Sequence, residues 1–472
     1  MSTSTTPIPV AGGVSGTFEI GAARRTVALV GLLLSMLMAN IDASIVNVAL
    51  PQLAGDLHVT AGDAVWVATA FLLAVACCLP LAIGLADQLG RKRLFLIGTP
   101  VFTLASLFCA LSPSLEALVA SRVLQGAAAS LLFAVVIPTY RQLFPPARLG
   151  SILGLNAMIV ALGISAGPAL GGVILANLSW PWLFLINVPI GALASVLVLV
   201  ALPHTPPSRG AFDLVGALTG GAAIACFLLG VHQLADDSTV WLAGVLLAGC
   251  AGFAMLFLRH EKRAVAPVLP PSMFSGRFVL AVLAAFWSFF GQGVAFVALP
   301  FLFQTAYHAT PLESALLFTP WPLVIVIVAP IAGRVADSFS PTLMATIGLA
   351  LFTLGLLSLA LLGDHPPIWQ VLLCTAFTGF GFAVFQAPNN RDMMDAATPR
   401  MSGPAAGMLN INRTIAQSAG AGAVSMALVL TGATSLADQA SASSGVLWVA
   451  VIGAGLAAVL AFWRLRRAPA AR

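Results

Sequence analysis

The chain has 472 residues, of which 60% are hydrophobic and only 8% are charged, and its mean hydropathy is +1.01. Soluble domains carry about 25% charged residues, so the composition excludes an ordinary soluble protein and indicates a polytopic membrane protein. The net charge of +5 does not indicate nucleic-acid binding, because the basic residues form no patch with interleaved aromatics. The six cysteines fall in apolar runs without metal-ligand spacing, so we expect packing roles and no metal site.

Fourteen apolar runs are long enough to cross a bilayer as helices, which takes about 20 residues each. In chain order they are predicted at 26–50, 63–86, 94–112, 115–140, 150–175, 182–202, 213–231, 240–258, 278–303, 312–335, 342–362, 368–388, 403–431 and 445–463. The first run has no cleavage pattern after it, so we expect no signal peptide. The sequence therefore predicts an all-α integral membrane protein with fourteen spans.

The basic residues indicate the orientation of these spans. Of the 21 Lys and Arg residues, 19 fall in tails and loops on one side, and the other two, Arg122 and Arg413, lie inside predicted helices. The opposite loops collect acidic residues such as Asp56 and Glu313. Because cytoplasmic loops carry an excess of Lys and Arg, both termini are predicted to be cytoplasmic.

Two similar segments indicate a repeated architecture. GLADQLGRKR (84–93) ends the second run, and GRVADSFSPT (333–342) ends the tenth. Internal repeats are expected of secondary transporters, and two six-helix bundles remain if runs seven and eight are an insertion. The predicted parts are a disordered tail at 1–23, an N-terminal bundle at 24–203, two inserted helices at 204–263, a C-terminal bundle at 264–464 and a basic tail at 465–472.

Asp42 is the one acidic residue that falls in the interior of a predicted membrane helix, away from its ends. A charge at the bilayer centre costs about 2.5–3.5 kcal/mol, and a carboxyl group in an apolar setting can bind and release a proton near neutral pH. Asp42 is therefore the predicted proton carrier, and a structural acid that never titrates is the alternative. Asn40 and Asn47 are candidates for the substrate cavity, although such amides more often join helices by hydrogen bonds.

Arg122 is the predicted partner of Asp42. Both residues lie roughly 12–13 Å below the outer ends of their helices, at 1.5 Å per residue. A guanidinium at that depth needs a partner or a water-filled cavity. A movable pair would serve proton coupling, whereas a permanent pair would be structural. Gln125 lies one turn below Arg122 and is a further candidate for the cavity.

The fifth run contains GISAGPALGG (163–172), in which Gly163, Gly167 and Gly171 recur every four residues. This spacing predicts a flat stripe that another helix can approach closely. Pro168 interrupts the hydrogen-bond ladder and permits a bend. Such a surface serves tight packing, and it can also seal or rock during a conformational change.

The two repeated loops supply further candidates for conformational motifs. Asp87, Gly90 and Arg91 lie in the first loop, and Gly333 and Asp337 in the second. Asp87 is placed to cap the end of a neighbouring helix, while Arg91 stays at the inner surface.

Arg413 lies about ten residues into the thirteenth run and is also assigned to the conformational motifs. It is expected to snorkel towards the inner surface, or to bridge to Asp337 or Asp392. A gating role and a plain anchoring role are both consistent with this position.

The C-terminal half contains two aromatic segments with few polar groups, which suit flat, apolar ligands and cations. Their candidates for the substrate cavity are Phe286, Phe290, Gln292, Phe385, Gln386 and Asn389.

Together these segments resemble the fourteen-helix drug:proton antiporter branch of the major facilitator superfamily, over essentially the whole chain from the first span onward. IDASIVNVALP resembles the first-helix motif of that branch, with Asp42 at the acidic position. RVLQGAAA matches the helix-four motif at Arg122 and Gly126, and GISAGPALGG matches the antiporter motif of helix five. The resemblance implies a major facilitator fold, with two six-helix bundles plus two extra transmembrane helices.

The resemblance also implies a function. We expect a secondary transporter of the inner membrane, not an enzyme, that exports lipophilic drugs or toxic compounds by alternating access, with cations as the expected substrate class. It would need no cofactor, would be driven by the proton gradient, and would contact the lipid bilayer, protons and a small-molecule substrate but no nucleic acid. A periplasmic adaptor stays an open question.

Direct competition between the proton and a cation at Asp42 is the expected coupling, with one proton per cycle. The alternative cargo is an endogenous metabolite, a peptide or an anionic compound. An anionic cargo would favour Arg122 and Arg413 as binding residues over Asp42.

Overall fold

The computed structural model describes residues 20–204, 213–235, 240–264, 273–363, 366–396, 402–431 and 436–467, and in these ranges the chain is helical without strands. The helices are α1 (Ala22–Asp56), α2 (Ala61–Ala64), α3 (Trp66–Leu89), α4 (Arg91–Ala110), α5 (Leu115–Leu143), α6 (Pro146–Asn177), α7 (Trp182–Leu185), α8 (Asn187–Ala201), α9 (Leu214–His232), α10 (Val240–Glu261), α11 (Gly276–Thr305), α12 (Pro311–Phe318), α13 (Pro320–Ser338), α14 (Pro341–Ala360), α15 (Ile368–Ala396), α16 (Ser402–Leu430) and α17 (Leu436–Arg467). The predicted disordered tail lies outside the described residues up to residue 19, and the basic tail lies outside them from residue 468.

Each predicted run coincides with one helix or with two consecutive helices. Within the described residues, 13 helical stretches are long and apolar enough to cross a membrane. The remaining predicted run, at 403–431, is α16, a 29-residue helix that carries Asn410, Asn412 and Arg413. The tenth run is divided into α12 and α13 just before Pro320, which has no N–H to continue the ladder.

The helices pack into two bundles. In the N-terminal bundle α1 packs against α6 and α8, while α5 packs against α3 and α4. In the C-terminal bundle α11 packs against α16 and α17, and α15 packs against α13 and α14. The inserted helices α9 and α10 pack on each other, and α9 also contacts α3 and α16.

The glycine stripe of α6 brings that helix against α1. A Cβ atom on Gly163 would lie 2.8 Å from Cβ of Asn40, one on Gly167 would overlap the hydroxyl of Ser44, and one on Gly171 would lie 3.0 Å from the carbonyl oxygen of Ile45. The α6 helix continues through Pro168. The stripe is therefore a close packing surface between two helices of the N-terminal bundle.

The two ends of the molecule differ in charge and in how the bundles meet. We call the end with the α3–α4 loop and Arg91 the basic end, and the end with Asp56 and Glu313 the acidic end. At the acidic end Gln304 donates to the carbonyl of Val48 at 2.9 Å, and Ser425 donates to the carbonyl of Gly62 at 2.8 Å. These hydrogen bonds join the bundles on the acidic side.

Towards the basic end, contact between the bundles is apolar. Leu79 and Ala82 of α3 form one buried cluster with Ala134 of α5 and Ile411 of α16. A purely apolar contact carries no directional hydrogen bonds, so it can separate without leaving buried polar groups unpaired.

Candidate transport site

Asp42 lies in the middle of α1 and is fully buried inside the N-terminal bundle. Its Oδ2 accepts a hydrogen bond from Nη1 of Arg122 at 2.5 Å. Its Oδ1 accepts from Nε2 of Gln125 at 2.8 Å and from Nδ2 of Asn187 at 2.7 Å. The hydroxyl of Ser106 accepts from the same two amides, at 2.7 and 3.3 Å. Helices α1, α4, α5 and α8 thus each contribute one or two side chains to a single network, in which both carboxylate oxygens accept hydrogen bonds.

Arg122 is held on several sides. Its Nε donates to the carbonyl of Val67 at 2.9 Å, and its Nη1 also donates to Oε1 of Gln125 at 2.6 Å. The guanidinium carbon lies 4.4 Å from the centre of the Phe71 ring and 5.7 Å from that of Phe184, distances typical of cation–π contacts. Its Nη2 is buried and has no hydrogen-bond partner in the described part of the chain.

The structure therefore brings together the two intramembrane charges that the sequence singles out, Asp42 and Arg122, with Gln125 beside them. Sequence reasoning missed Ser106 and Asn187. Asn187 is a lone amide in the apolar segment LFLINVPIG, and a polar side chain in such a segment is expected to find a partner. That signal could have identified it, although not its contact with Asp42.

A cavity of about 70 Å³ lies between the bundles, walled by α1, α3, α5 and α6 on one side and by α11 and α16 on the other. Its polar lining residues are Asn40, Ser44, Asn47, Arg413, Thr414 and Gln417, and its aromatic ones are Phe71, Phe133 and Phe296. Sites for drug-sized ligands measure about 300–1,000 Å³. The cavity must therefore widen to hold such a molecule.

Asp42 does not line this cavity. Phe71 lines it and also packs on the guanidinium of Arg122, so this side chain contacts both the cavity and the buried ion pair. Direct competition between a proton and a substrate for the Asp42 carboxylate, expected from the sequence, is therefore not supported by this geometry. Gln125 is likewise fully buried in the ion-pair network and not in the lining.

Of the other predicted cavity residues, Asn40 and Asn47 line it, whereas those from α11 and α15 lie elsewhere. Phe286 and Phe290 pack edge-to-face on Trp287, with ring centres 5.6 and 5.5 Å apart. Gln292 is buried and accepts a hydrogen bond from the cavity residue Gln417 at 2.9 Å. The cavity face of α11 carries Gly293, Phe296 and Val297 instead, because helix packing sets which face turns inward.

The three predicted residues of α15 also lie outside the lining. Phe385 is buried and packs on Phe382, with ring centres 5.9 Å apart. Asn389 is fully buried and accepts from Nη1 of Arg464 at 2.9 Å. Gln386 is half-buried.

The loop motifs serve the ends of the helices. Gly90 joins α3 to α4 with a φ of 84°, a backbone conformation that suits glycine. Arg91 donates to the carbonyl of Pro138 at 3.0 Å and so connects the loop to α5. A Cβ atom on Gly333 would meet only Ala387, at 3.8 Å. The side chains of Asp87 and Asp337 lie outside the described part of the structure.

Arg413 does not bridge to Asp392, contrary to one of the two expectations from the sequence. Asp392 pairs with Arg277 at 2.5 Å and with Arg464 at 3.2 Å, and it accepts from Thr342 at 2.8 Å. This carboxylate is therefore already satisfied at the basic end of the C-terminal bundle, and Arg413 lines the central cavity. Among the described residues no cluster of three or more His, Cys, Asp or Glu side chains is placed to hold a metal ion.

Comparison with known proteins agrees with this architecture. The family model described as Major Facilitator Superfamily matches residues 32–421 and 281–472. The uncharacterised transporter YebQ of Escherichia coli is 36% identical over 412 residues, which are 86% of this chain and 89% of that protein. The methylenomycin A resistance protein of Streptomyces coelicolor is 31% identical over 98% of this chain and 97% of its own length. The riboflavin transporter RibZ of Clostridioides difficile is 28% identical over 80% of this chain and 83% of its own length.

Solved structures show the same fold. A bacterial homologue of the human lysosomal transporter Spinster, in an inward-facing and unoccupied conformation, superimposes with a TM-score of 0.70 at 15% identity, and the match covers 95% of this chain and 98% of that one. From its apolar helices, its two bundles and the family match, the chain is a multi-pass transporter, not an enzyme, and it belongs to the major facilitator superfamily.

Proposed function

We propose that this protein is a proton-coupled antiporter that exports lipophilic organic compounds across the inner membrane, with its basic end in the cytoplasm. Relatives named as resistance proteins support export of toxic compounds. The distribution of Lys and Arg supports the orientation. A cavity walled by both bundles supports alternating access.

The observation that carries the proton coupling is the fully buried Asp42–Arg122 pair beside this cavity. When Asp42 binds a proton, it loses the negative charge that holds Arg122. The bond between α1, which carries Asp42, and α5, which carries Arg122, is then weaker. The same helix, α1, presents Asn40, Ser44 and Asn47 to the cavity. A shift of α1 on protonation therefore changes the cavity, and coupling passes through the helix and not through competition for one carboxylate.

The charge of the substrate depends on the charged groups that line the cavity. Among the described residues that line the cavity there is no carboxylate, and Asp42 is already paired with Arg122. A preference for cations, expected from the sequence, thus has no charged group to support it, and the alternative of a metabolite or an anionic compound gains weight.

The experiment is efflux of a panel of compounds from energised cells with and without the protein, at acidic and alkaline external pH. Ethidium represents the cations, naphthoate the anions, and riboflavin is included because one relative is named a riboflavin transporter. We expect faster efflux of at least one compound at acidic external pH, and loss of this pH effect in Asp42→Asn. Asp56→Asn, on the exposed end of the same helix, is the matched control. Wild-type pH-dependent efflux by Asp42→Asn would remove the proposal.

A further inference from the structure

We propose that Arg413 binds an anionic group of the substrate, a carboxylate in the simplest case, and that the cavity selects amphiphilic organic anions. The substrate class rests on the proposed transport function, whereas the binding site itself does not require it. Arg413 lies on α16 and lines the cavity between the bundles. It forms no hydrogen bond or ion pair with any side chain that the structure describes, and its Nε is buried without an acceptor.

The depth of Arg413 argues against a plain surface anchor. Its Cα lies about 16 Å from the first residue of α16, at 1.5 Å per residue. An arginine in a membrane helix normally pairs with an acid, with carbonyl groups or with water in a cavity. Here the guanidinium is placed at the cavity, with a buried Nε, so it does not extend to the basic end.

Two acids whose side chains the structure describes, Asp42 and Asp392, are committed elsewhere. Asp42 is paired with Arg122 and does not line the cavity. Asp392 is paired with Arg277 and Arg464. Of the two arginines that an anionic cargo would favour on sequence grounds, Arg122 is thus neutralised and Arg413 remains available.

The hydrogen-bond inventory of the lining also favours an anion. The hydroxyls of Ser44 and Thr414 donate to backbone carbonyls, Asn40 donates to the carbonyl of Met36 at 2.7 Å, and Gln417 donates to Gln292. Asn47, the remaining polar residue of the lining, is also left with free amide donors, but Arg413 is the cationic donor of this described lining, and its fork of N–H groups matches a carboxylate.

The rest of the lining fits an apolar body attached to that anionic group. Phe71, Phe133 and Phe296 form the aromatic part of the wall, together with Leu72 and Val75. An organic cation of the same shape would bury its charge beside the guanidinium, and such like-charge contact opposes binding.

The test is equilibrium binding to the purified full-length protein in detergent, without a proton gradient. The probes form two matched series: naphthoate, naphthamide and naphthylmethylammonium, and octanoate, octanamide and octylammonium. We expect the carboxylate to bind at least about tenfold more tightly than the amide in one or both series, the usual contribution of a charged hydrogen bond, and the ammonium compound to bind most weakly. In Arg413→Gln the carboxylate preference should disappear.

Two further variants keep the result interpretable. Arg466→Gln removes an arginine that stacks on Phe462 near the end of α17, away from the cavity, and should bind like the wild type. If Arg413→Gln does not fold, Arg413→Lys replaces it and should weaken carboxylate binding, because an ammonium lacks the planar fork.

The proposal is overturned if the carboxylates bind no more tightly than the amides in both series, or if the preference survives in a folded Arg413→Gln protein. Because this binding is measured without a gradient, its failure leaves the proton role of Asp42 standing. Conversely, absent proton coupling in the efflux assay leaves the anion site standing.

Discussion

The Asp42–Arg122 pair makes a prediction about stability that separates its two partners. Arg122→Gln leaves a buried carboxyl group without its cation, and Asp42→Asn leaves a buried guanidinium without its anion. Breaking a buried pair by removing one partner costs about 3–5 kcal/mol. Because the two side chains contact each other directly, the double variant should be less destabilised than the sum of the single variants, with a coupling of about 0.5–3 kcal/mol.

The two single variants should respond differently to pH. The carboxyl group of Arg122→Gln can escape its cost by binding a proton, so the folded state binds more protons than the unfolded state and stability should rise as the pH falls. The guanidinium of Asp42→Asn keeps its proton at all accessible pH values, so that variant should show no such gain from acidification.

Unfolding in detergent, followed by tryptophan fluorescence at acidic and alkaline pH, measures both effects. Asp56→Asn and Arg466→Gln, which change exposed charges of the same kinds, control for general charge effects. Additive single effects, or the same pH response in both variants, would refute the reasoning, since they would mean that the pair does not act as a unit.

Three further predictions concern the network, the packing and the charge balance. Asn187→Leu removes a donor to Asp42 and should cost about 1–3 kcal/mol of stability while reducing proton-coupled efflux; a stable, fully active variant would contradict the network's role. Gly167→Val places side-chain atoms into Ser44 of α1 and should destabilise the protein by about 1–3 kcal/mol. The control Gly244→Val, at a glycine with open space around it, should leave stability unchanged. Equal unfolding free energies of the two variants would argue against tight α1–α6 packing. Exchange of one proton for a monovalent anion moves two charges across the membrane, so a membrane potential of 100 mV should contribute roughly 4.6 kcal/mol to naphthoate export. A current measured in proteoliposomes checks this. Naphthoate transport without a current would indicate another stoichiometry.

The spans were predictable because a bilayer imposes about 20 apolar residues on every crossing. All fourteen predicted runs correspond to helices. Asp42 and Arg122 were also predictable as a pair, since two rare charges at equal depth in one bundle have few other partners. The glycines of α6 were recognisable as a packing surface from their spacing alone.

The lining of the cavity was not predictable, because it depends on the rotation of each helix. Phe290 and Phe296 are both aromatic residues of α11, yet only Phe296 faces the cavity, while Phe290 packs against α17 near Gly453. That Arg413 makes no ion pair with Asp392 could not be deduced either. Asp392 was a plausible acid until the structure placed Arg277 and Arg464 closer to it.

The most direct test of proton coupling uses proteoliposomes that contain wild-type protein or Asp42→Asn. They are equilibrated with the best exported compound of the panel, so that its concentration is the same inside and outside. A pH gradient across the vesicle membrane is imposed, and accumulation of that compound against its own concentration gradient is measured. The account predicts accumulation by the wild type and by Asp56→Asn, and none by Asp42→Asn even though that variant still binds the compound. Uphill accumulation by Asp42→Asn at the wild-type level would contradict it.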